Sequence, residues 1–278
     1  MIIKPNKEKL KVYDGVDKVV SFSELKEKMK NMPAIPTFNT GITKLDELCE
    51  GFETGELWIV SGWTKMGKTL LCQTMTKNFA LQGIYSLWFT FEITARKFLE
   101  QFDDSVVGYL PSQLKDKDLN WIEARIVEAK EKYGTKVIFI DHLHYLFDIF
   151  ISRNPSLDIG GITRRLKGIC LEHEVIIFLV AHTSKTSSQT EPTDGDIRDS
   201  SFIVQDSDGT LLVWRVGTKI NGEVVFEEDS IVSVALARRS GVRGKKVRVK
   251  YVDDVLVEME DPFLNPLPPV NEYKDLNF

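Results

Sequence analysis

Residues 57–72 read LWIVSGWTKMGKTLLC, and this stretch decides the fold. It opens with an apolar run at residues 57–61, which is typical of a buried strand. Residues 62–69 then match the pattern G-x-x-x-x-G-K-[ST], and a helix-like segment begins at Leu70. A strand, a glycine-rich loop and a helix in this order predict a phosphate-binding loop, and therefore a site for a nucleoside triphosphate.

The chemistry of phosphate binding explains the residue types in this loop. Gly62 and Gly67 have no side chain, so the backbone N–H groups between them can turn toward phosphate oxygens. The following helix adds the positive end of its dipole. We expect Lys68 to contact the β- and γ-phosphates and the Thr69 hydroxyl to bind Mg²⁺. The residues predicted to surround the nucleotide are Ser61, Gly62, Trp63, Thr64, Lys65, Met66, Gly67, Lys68, Thr69 and Leu70.

Length and composition favour one globular domain with short appendages, because 42% of the 278 residues are apolar. The chain has no run of eighteen apolar residues and no signal-peptide core, so we expect no membrane span and a cytoplasmic location, or the host cytoplasm for a viral protein. Cys49, Cys72 and Cys170 lie far apart, which favours core positions over a disulfide or zinc site. The net charge of −5 means that any contact with DNA would come from local basic loops.

The order of apolar segments predicts an α/β fold. Apolar strands at residues 85–91, 136–141 and 175–181 alternate with helical stretches at residues 118–132 and 162–173. This alternation indicates a mainly parallel sheet with helices on both faces. The last third of the chain instead predicts antiparallel strands joined by short turns, at residues 210–215, 230–237, 246–252 and 255–259, with a tight hairpin at Asp253 and Asp254.

Three parts of the chain follow from these patterns. Residues 1–34 are predicted to form a linker with a short helix capped by Ser21 or Ser23, and residues 35–260 to form the nucleotide-binding domain. The short helix has Phe22, Leu25 and Met29 on one face, which could pack on its own domain or on a neighbouring subunit. Residues 261–278 contain four prolines and are predicted to be an extended or disordered acidic tail.

Three polar residues end apolar strands, where open α/β sheets bind ligands. Asp141 is a candidate Mg²⁺ carboxylate, although an aspartate at this position can also cap a helix. Glu92 ends a strand that we expect beside the phosphate-loop strand, and it could act as the general base for the attacking water or cap the helix that begins near Thr94. His182 could contact the γ-phosphate or have only a structural role.

Basic residues in two long loops and one cluster are candidates for binding nucleic acid. Residues 147–161 carry Arg153, and residues 183–201 carry Lys185 and Arg198, which could follow a phosphate backbone or form solvated surface. Arg239 belongs to a basic cluster that follows the strand ending at residue 237. That cluster could place an arginine finger in an adjacent subunit's ATP site, or bind nucleic acid directly.

The order and spacing of these motifs resemble the RecA-like motor domain of DnaB-type hexameric replicative helicases, which also occurs in phage helicase–primases and in mitochondrial Twinkle. The resemblance covers about residues 35–259. It rests on TGITKLDEL at residues 40–48, MGKT at 66–69, FE at 91–92, IFIDHL at 138–143, ITRRLKG at 162–168, DIRDS at 196–200 and RSG at 239–241.

The resemblance implies a RecA-like P-loop NTPase core that hydrolyses ATP with Mg²⁺ in a ring, most simply a hexamer, around single-stranded DNA. Glu92 would be the catalytic base, His182 the γ-phosphate sensor, and Arg239 the finger supplied by the next subunit. Two departures stand out. His182 resembles the phage and Twinkle branch rather than DnaB, which usually has glutamine, and Ala237 replaces a lysine that many members carry, so Arg238 or Arg243 could assist Arg239.

Two alternatives use the same ATP site: a regulatory ATPase of the RecA or KaiC kind that does not unwind DNA, and an ATP-gated recombination or loading factor that binds single-stranded DNA. The sequence contains no primase or zinc-binding module, so coupling to priming is expected to come from another chain; truncation of a longer chain would also explain this absence. The resemblance implies self-association, and a primase, loader or DNA polymerase could contact the N-terminal segment or the tail that ends at Phe278.

Overall fold

The fold is described from a computed structural model. It describes residue 15, residues 18–114, 118–146, 155–183, 191–197, 200–220, 223–260 and residue 264. The chain divides into two compact units, residues 1–35 and residues 36–278, which we describe separately. None of the described helices is long and apolar enough to cross a membrane.

The first unit contains helix α1, Phe22–Lys30. Ser21 caps it, as predicted: its hydroxyl accepts a hydrogen bond from the Glu24 N–H at 3.2 Å, and the Glu24 carboxylate accepts one from the Ser21 N–H at 2.8 Å. This reciprocal pair is a capping box, which satisfies two N–H groups that the helix leaves unpaired. No residue of α1 is buried within its unit, and Phe22 is 85% exposed.

The second unit contains two sheets and six α-helices among its described residues. Its strands are β1 Thr37–Phe38, β2 Phe52–Glu53, β3 Leu57–Gly62, β4 Ser86–Thr90, β5 Gly108–Tyr109, β6 Val137–Asp141, β7 Ile176–His182, β8 Gly209–Ile220, β9 Glu223–Ala237, β10 Lys245–Val252 and β11 Val255–Met259. Its helices are α2 Thr43–Cys49, α3 Lys68–Leu81, α4 Ala95–Leu99, α5 Leu119–Tyr133, α6 Pro155–His173 and α7 Ser200–Asp206.

The main sheet has nine strands in the order β11-β10-β9-β8-β3-β7-β6-β4-β5. Neighbouring strands in the series β8, β3, β7, β6, β4, β5 pair in parallel. Neighbouring strands in the series β8, β9, β10, β11 pair antiparallel. Alternate residues of β3 enter two apolar cores: Trp58 packs with α2 and α3, and Ile59 packs with α5 and α6. Helices therefore cover both faces, and the predicted α/β class with antiparallel C-terminal strands is confirmed.

The predicted position of β4 is wrong. It lies between β6 and β5, so β6 and β7 separate it from β3. Apolar runs identify strands but do not determine which strands pair: β4 and β6 are wholly buried and β7 nearly so, and it is β7 that pairs with β3. Glu92 consequently follows the neighbour of the Asp141 strand rather than the neighbour of the phosphate-loop strand.

Two other boundaries differ from the prediction. Helix α6 begins at Pro155 rather than at residue 162, so part of the predicted loop at residues 147–161 is helical. Proline is favourable at a first helical position, where its missing N–H would have no partner in the helix anyway. The β8–β9 hairpin is also longer than predicted, and the turn at Asp253 and Asp254, with φ of 46° and 63°, is confirmed.

Two glycines in different surroundings, Gly209 and Gly161, provide a direct test of this packing. A Cβ at Gly209 would overlap the ring of Trp58, a fully buried side chain, whereas a Cβ at Gly161 in α6 meets nothing within 4 Å. We expect Gly209→Ala to lower the free energy of unfolding by about 1–3 kcal/mol through overpacking. Gly161→Ala should raise it by about 0.5–1 kcal/mol through helix propensity. Urea unfolding measures both, and a Gly209→Ala midpoint at or above the wild-type value would contradict the packing.

Candidate active site

The phosphate-binding loop connects β3, which is wholly buried, to α3. Gly62 and Gly67 have φ of 148° and 97°, a region that side chains other than glycine rarely adopt. A Cβ at Gly62 would also overlap the carbonyl oxygen of Val213 in β8. The two glycines that the sequence motif requires are therefore required by the backbone as well.

Lys68 is the first residue of α3 and is only 6% exposed. Its ammonium donates hydrogen bonds to the carbonyl oxygens of Gly62, at 3.0 Å, and Trp63, at 2.8 Å. Burial lowers the pKa of Lys68 to about 8, while the nearby carboxylates of Asp141 and Glu92 act in the opposite direction. The arrangement places a cation inside the loop, where phosphate oxygens would be its natural partners.

Asp141 ends β6 and lies against α3. The Thr69 hydroxyl donates a hydrogen bond of 2.8 Å to Asp141 Oδ2. The other carboxylate oxygen, Oδ1, is buried without a hydrogen-bond partner. Burial raises the pKa of Asp141 to about 6; the bond from Thr69 opposes this shift, and the charge of Glu92 adds to it.

These two residues fit a magnesium ion. Mg²⁺ prefers oxygen ligands and is held by one or two carboxylates together with water and substrate phosphates. Thr69 and Asp141 supply a hydroxyl and a carboxylate next to each other, and the partnerless Asp141 Oδ1 is a buried oxygen that a cation would satisfy.

Glu92 lies close to this pair, even though its strand is not beside β3. Thr90, the last residue of β4, is the register partner of Asp141, so the two strand ends are adjacent. The Glu92 carboxylate lies 3.5 Å from His142 Nδ1, and its side chain is 44% exposed. Thr94 caps α4 by accepting a hydrogen bond from the Lys97 N–H, so Glu92 does not cap that helix.

Two histidine rings complete this end of the sheet. His182 ends β7, and its ring contacts that of His142 edge-to-face, with the centroids 4.2 Å apart. Burial is the main cause that lowers the pKa of His142 to about 3 and that of His182 to about 4, and the nearby His144 and Lys68 lower the pKa of both further. Both imidazoles are therefore neutral at neutral pH. Sequence reasoning missed His142; its position directly after the strand-ending Asp141 was the available signal.

Arg239 makes its contacts within its own chain. Its guanidinium donates to Glu56 Oε1 at 2.9 Å and to the carbonyl oxygens of Glu50 and Gly51 at 2.9 and 2.6 Å. The adjacent Arg238 donates to the carbonyl oxygens of Ser207 and Gln205 at 2.7 and 2.6 Å. A contact with a second subunit would have to replace or extend the contacts of Arg239, so its role as a finger stays a prediction.

Some predicted residues lie outside the part of the chain that the structure describes. They are the three candidate DNA contacts, Arg153, Lys185 and Arg198, and the tail from residue 261 to Phe278, apart from Leu264. The structure therefore does not bring these residues to the active site or separate them from it. The predicted core positions of Cys49, Cys72 and Cys170 are confirmed, since all three are buried.

The loop, its buried lysine and the Thr69–Asp141 pair at the carboxyl ends of parallel strands define a phosphate-loop NTPase. Residues 37–108 and 109–256 match the family model of the DnaB-like helicase C-terminal domain. The chain belongs to this family, and the resemblance seen in the sequence is confirmed.

Individual relatives agree with the family match. The chain is 22% identical to the replicative DNA helicase DnaB of Haemophilus influenzae over 86% of this chain and 58% of that protein. It is 25% identical to DnaB of Pasteurella multocida over 72% of this chain and 51% of that protein. The chain thus spans about half the length of the curated relatives it matches.

Two solved structures share the fold. One is a DnaB-like replicative helicase studied with its interactions with primase, with a TM-score of 0.71, 17% identity, and coverage of 88% of this chain and 69% of the other. The second is an ATPase domain with a TM-score of 0.70 and 18% identity, which covers 86% of this chain and 96% of the other. At these identities the likeness concerns the fold.

Proposed function

We propose that this chain is the ATP-hydrolysing motor of a replicative DNA helicase. The observation that carries the proposal is the grouping of Lys68, Thr69, Asp141 and Glu92 at the carboxyl ends of the parallel strands. The chain that carries them belongs to the DnaB-like helicase C-terminal domain family. Relatives that match most of this chain are named replicative DNA helicases. ATP would be the substrate and Mg²⁺ the cofactor.

Each residue of the site has a proposed task. Lys68 would exchange its carbonyl partners in the loop for the β- and γ-phosphates, as buried cations favour charged oxygens. Thr69 and Asp141 would hold Mg²⁺, which neutralises charge that develops on the phosphates. Glu92 would orient the attacking water and accept its proton. His182, a neutral imidazole at the end of β7, would contact the γ-phosphate and respond to its loss.

The same proposal includes assembly into a ring, most simply a hexamer, that encloses single-stranded DNA. Residues 35–260 would form the motor domain, residues 1–34 a linker and residues 261–278 a tail. The exposed apolar side chains of α1, Phe22, Leu25 and Met29, are suited to docking on a neighbouring subunit. The solved DnaB-like relative is described with a primase, and we propose a primase, a loader or a polymerase as further partners of this chain.

The decisive experiment measures ATP hydrolysis with and without single-stranded DNA, together with separation of a forked duplex. We expect DNA to stimulate hydrolysis, and Lys68→Ala to abolish hydrolysis and unwinding. The matched variant Lys97→Ala removes an exposed lysine of α4 and should behave like the wild type. An ATP hydrolysis rate that is the same with and without DNA would favour the regulatory ATPase. Strong DNA binding without unwinding would favour the loading factor.

A further inference from the structure

Three side chains that can bind a metal meet at the carboxyl ends of β4, β6 and β7. Glu92 offers a carboxylate oxygen, and His142 and His182 each offer a ring nitrogen; one ligand atom from each lies within 4.8 Å of the others. Because β4, β6 and β7 are consecutive in the sheet, the backbone fixes the three residues next to one another. We call this group the histidine cluster.

The two imidazoles have nitrogen atoms that the protein leaves without a hydrogen bond. The His142 side chain is only 9% exposed, and its Nδ1 is buried and has no hydrogen-bond partner. That nitrogen faces the Glu92 carboxylate at 3.5 Å, too far for a good hydrogen bond. His182 Nδ1 is likewise buried without a hydrogen-bond partner. Buried polar atoms of this kind call for an explanation, and an ion that the residues bind is one.

We propose that Glu92, His142 and His182 bind a divalent transition-metal cation of the zinc class. Two imidazoles and one carboxylate form a ligand set that such ions use, and three protein ligands leave a further position for water or a phosphate oxygen. Mg²⁺ prefers oxygen ligands, which Thr69 and Asp141 provide. The chain therefore has two neighbouring cation positions that differ in ligand chemistry.

A second group of similar residues is a weaker candidate. Glu123, Glu172 and His173 also lie close enough together to share an ion. The carboxylates of that group already have a cationic partner, because Arg165 forms an ion pair with Glu123 and lies 4.0 Å from Glu172. Glu123 also contacts His173 Nε2 at 2.9 Å. This group serves as the internal control for the histidine cluster.

Occupation of the histidine cluster has a consequence for hydrolysis that rests on the proposed function. An ion bound to Glu92 withdraws the carboxylate from the attacking water, and an ion bound to His182 withdraws the ring from the γ-phosphate. Zinc should therefore inhibit ATP hydrolysis in the presence of excess Mg²⁺. We expect a loss of about 100-fold or more, the lower range associated with losing a general base.

Cobalt binding tests the site without any reference to activity. The full chain, treated with a chelator and dialysed, is titrated with Co²⁺ while the visible absorption of the bound ion is recorded; Zn²⁺ and Mg²⁺ are then added as competitors. We expect one bound Co²⁺ that Zn²⁺ displaces and that Mg²⁺ leaves in place. His142→Asn should weaken binding by at least about tenfold, since even outer-shell partners of a metal have effects of that size.

The controls make each outcome decisive. His173→Asn removes the histidine of the second group and should bind Co²⁺ like the wild type, whereas His182→Asn should repeat the loss seen with His142→Asn. Circular dichroism in chelator verifies that the variants are folded. No absorption band, or a band that His173→Asn alone removes, would overturn the proposal. Binding without inhibition would overturn only the consequence for hydrolysis, and binding by a chain that hydrolyses no ATP would contradict the proposed function instead.

Discussion

Replacement of Glu92 by glutamine is expected to lower ATP hydrolysis by about 10²–10⁴-fold while ATP still binds. Glutamine retains the shape of the side chain but cannot accept a proton from water. Glu92 follows β4, whose last residue is the register partner of Asp141, so the carboxylate lies beside the proposed Mg²⁺ position. Steady-state hydrolysis and the binding of a fluorescent ATP analogue measure the two effects separately.

The matched control is Glu100→Gln, which makes the same chemical change at an exposed glutamate directly after α4. The Glu100 side chain is 60% exposed, and in the described part of the chain it forms a surface ion pair with Arg96 at 3.4 Å. We expect wild-type hydrolysis from this variant. A Glu92→Gln protein that hydrolyses ATP at the wild-type rate would show that the base is another residue.

Arg239→Ala is expected to have a large effect on stability and a second, separate effect on hydrolysis. Glu56 is only 11% exposed, and its carboxylate accepts hydrogen bonds from Trp58 Nε1 at 2.8 Å and from Arg239 Nε at 2.9 Å. Removing Arg239 leaves this carboxylate without its cation, which costs about 3 kcal/mol in the free energy of unfolding. An arginine finger contributes about 10³–10⁵-fold to hydrolysis, so activity should also fall by at least 10³-fold if Arg239 acts in trans.

A second variant separates the two roles. Glu56→Gln removes the charge that holds Arg239 and keeps the acceptor for Trp58, so it should destabilise the protein without abolishing hydrolysis. Urea unfolding and DNA-stimulated hydrolysis are measured at a temperature at which both variants are folded. Arg96→Ala, at a 90% exposed side chain, is the control for loss of an arginine. Equal losses of hydrolysis in Arg239→Ala and Glu56→Gln would show that Arg239 acts through the fold and not as a finger.

Local features of the fold could be predicted from the sequence because neighbouring residues produce them. The strand, loop and helix at residues 57–72 form as expected, since Gly62 and Gly67 occupy backbone conformations that favour glycine. The capping box at Ser21 and the hairpin turn at Asp253 are likewise local arrangements that the residues themselves specify. The proximity of Asp141 to Thr69 followed from a general rule, that ligands bind at the carboxyl ends of parallel strands.

Features that depend on which segments meet could not be predicted in this way. The sequence does not show that β6 and β7 separate β4 from β3. The prediction that the Glu92 strand lies beside the phosphate-loop strand was therefore wrong. The place of His142 directly after the strand-ending Asp141 is visible in the sequence, but its contact with His182 depends on the pairing of β6 with β7. The contacts of Arg239 with Glu56 join residues that are 183 positions apart.

The pairing of β3 also determines when the nucleotide site can form during synthesis. Ser61 bonds to Ala181, 120 residues later, and the Leu57 N–H bonds to Asp208, 151 residues later. At ribosomal rates of about 5–20 residues per second, the strand that leads into the phosphate-binding loop waits roughly 6–24 s for its first neighbour. Both of its edges stay open in that interval, when an apolar strand is most prone to aggregate. The loop is thus among the first parts of the site to leave the ribosome, and the site is completed only when the second half of the chain arrives.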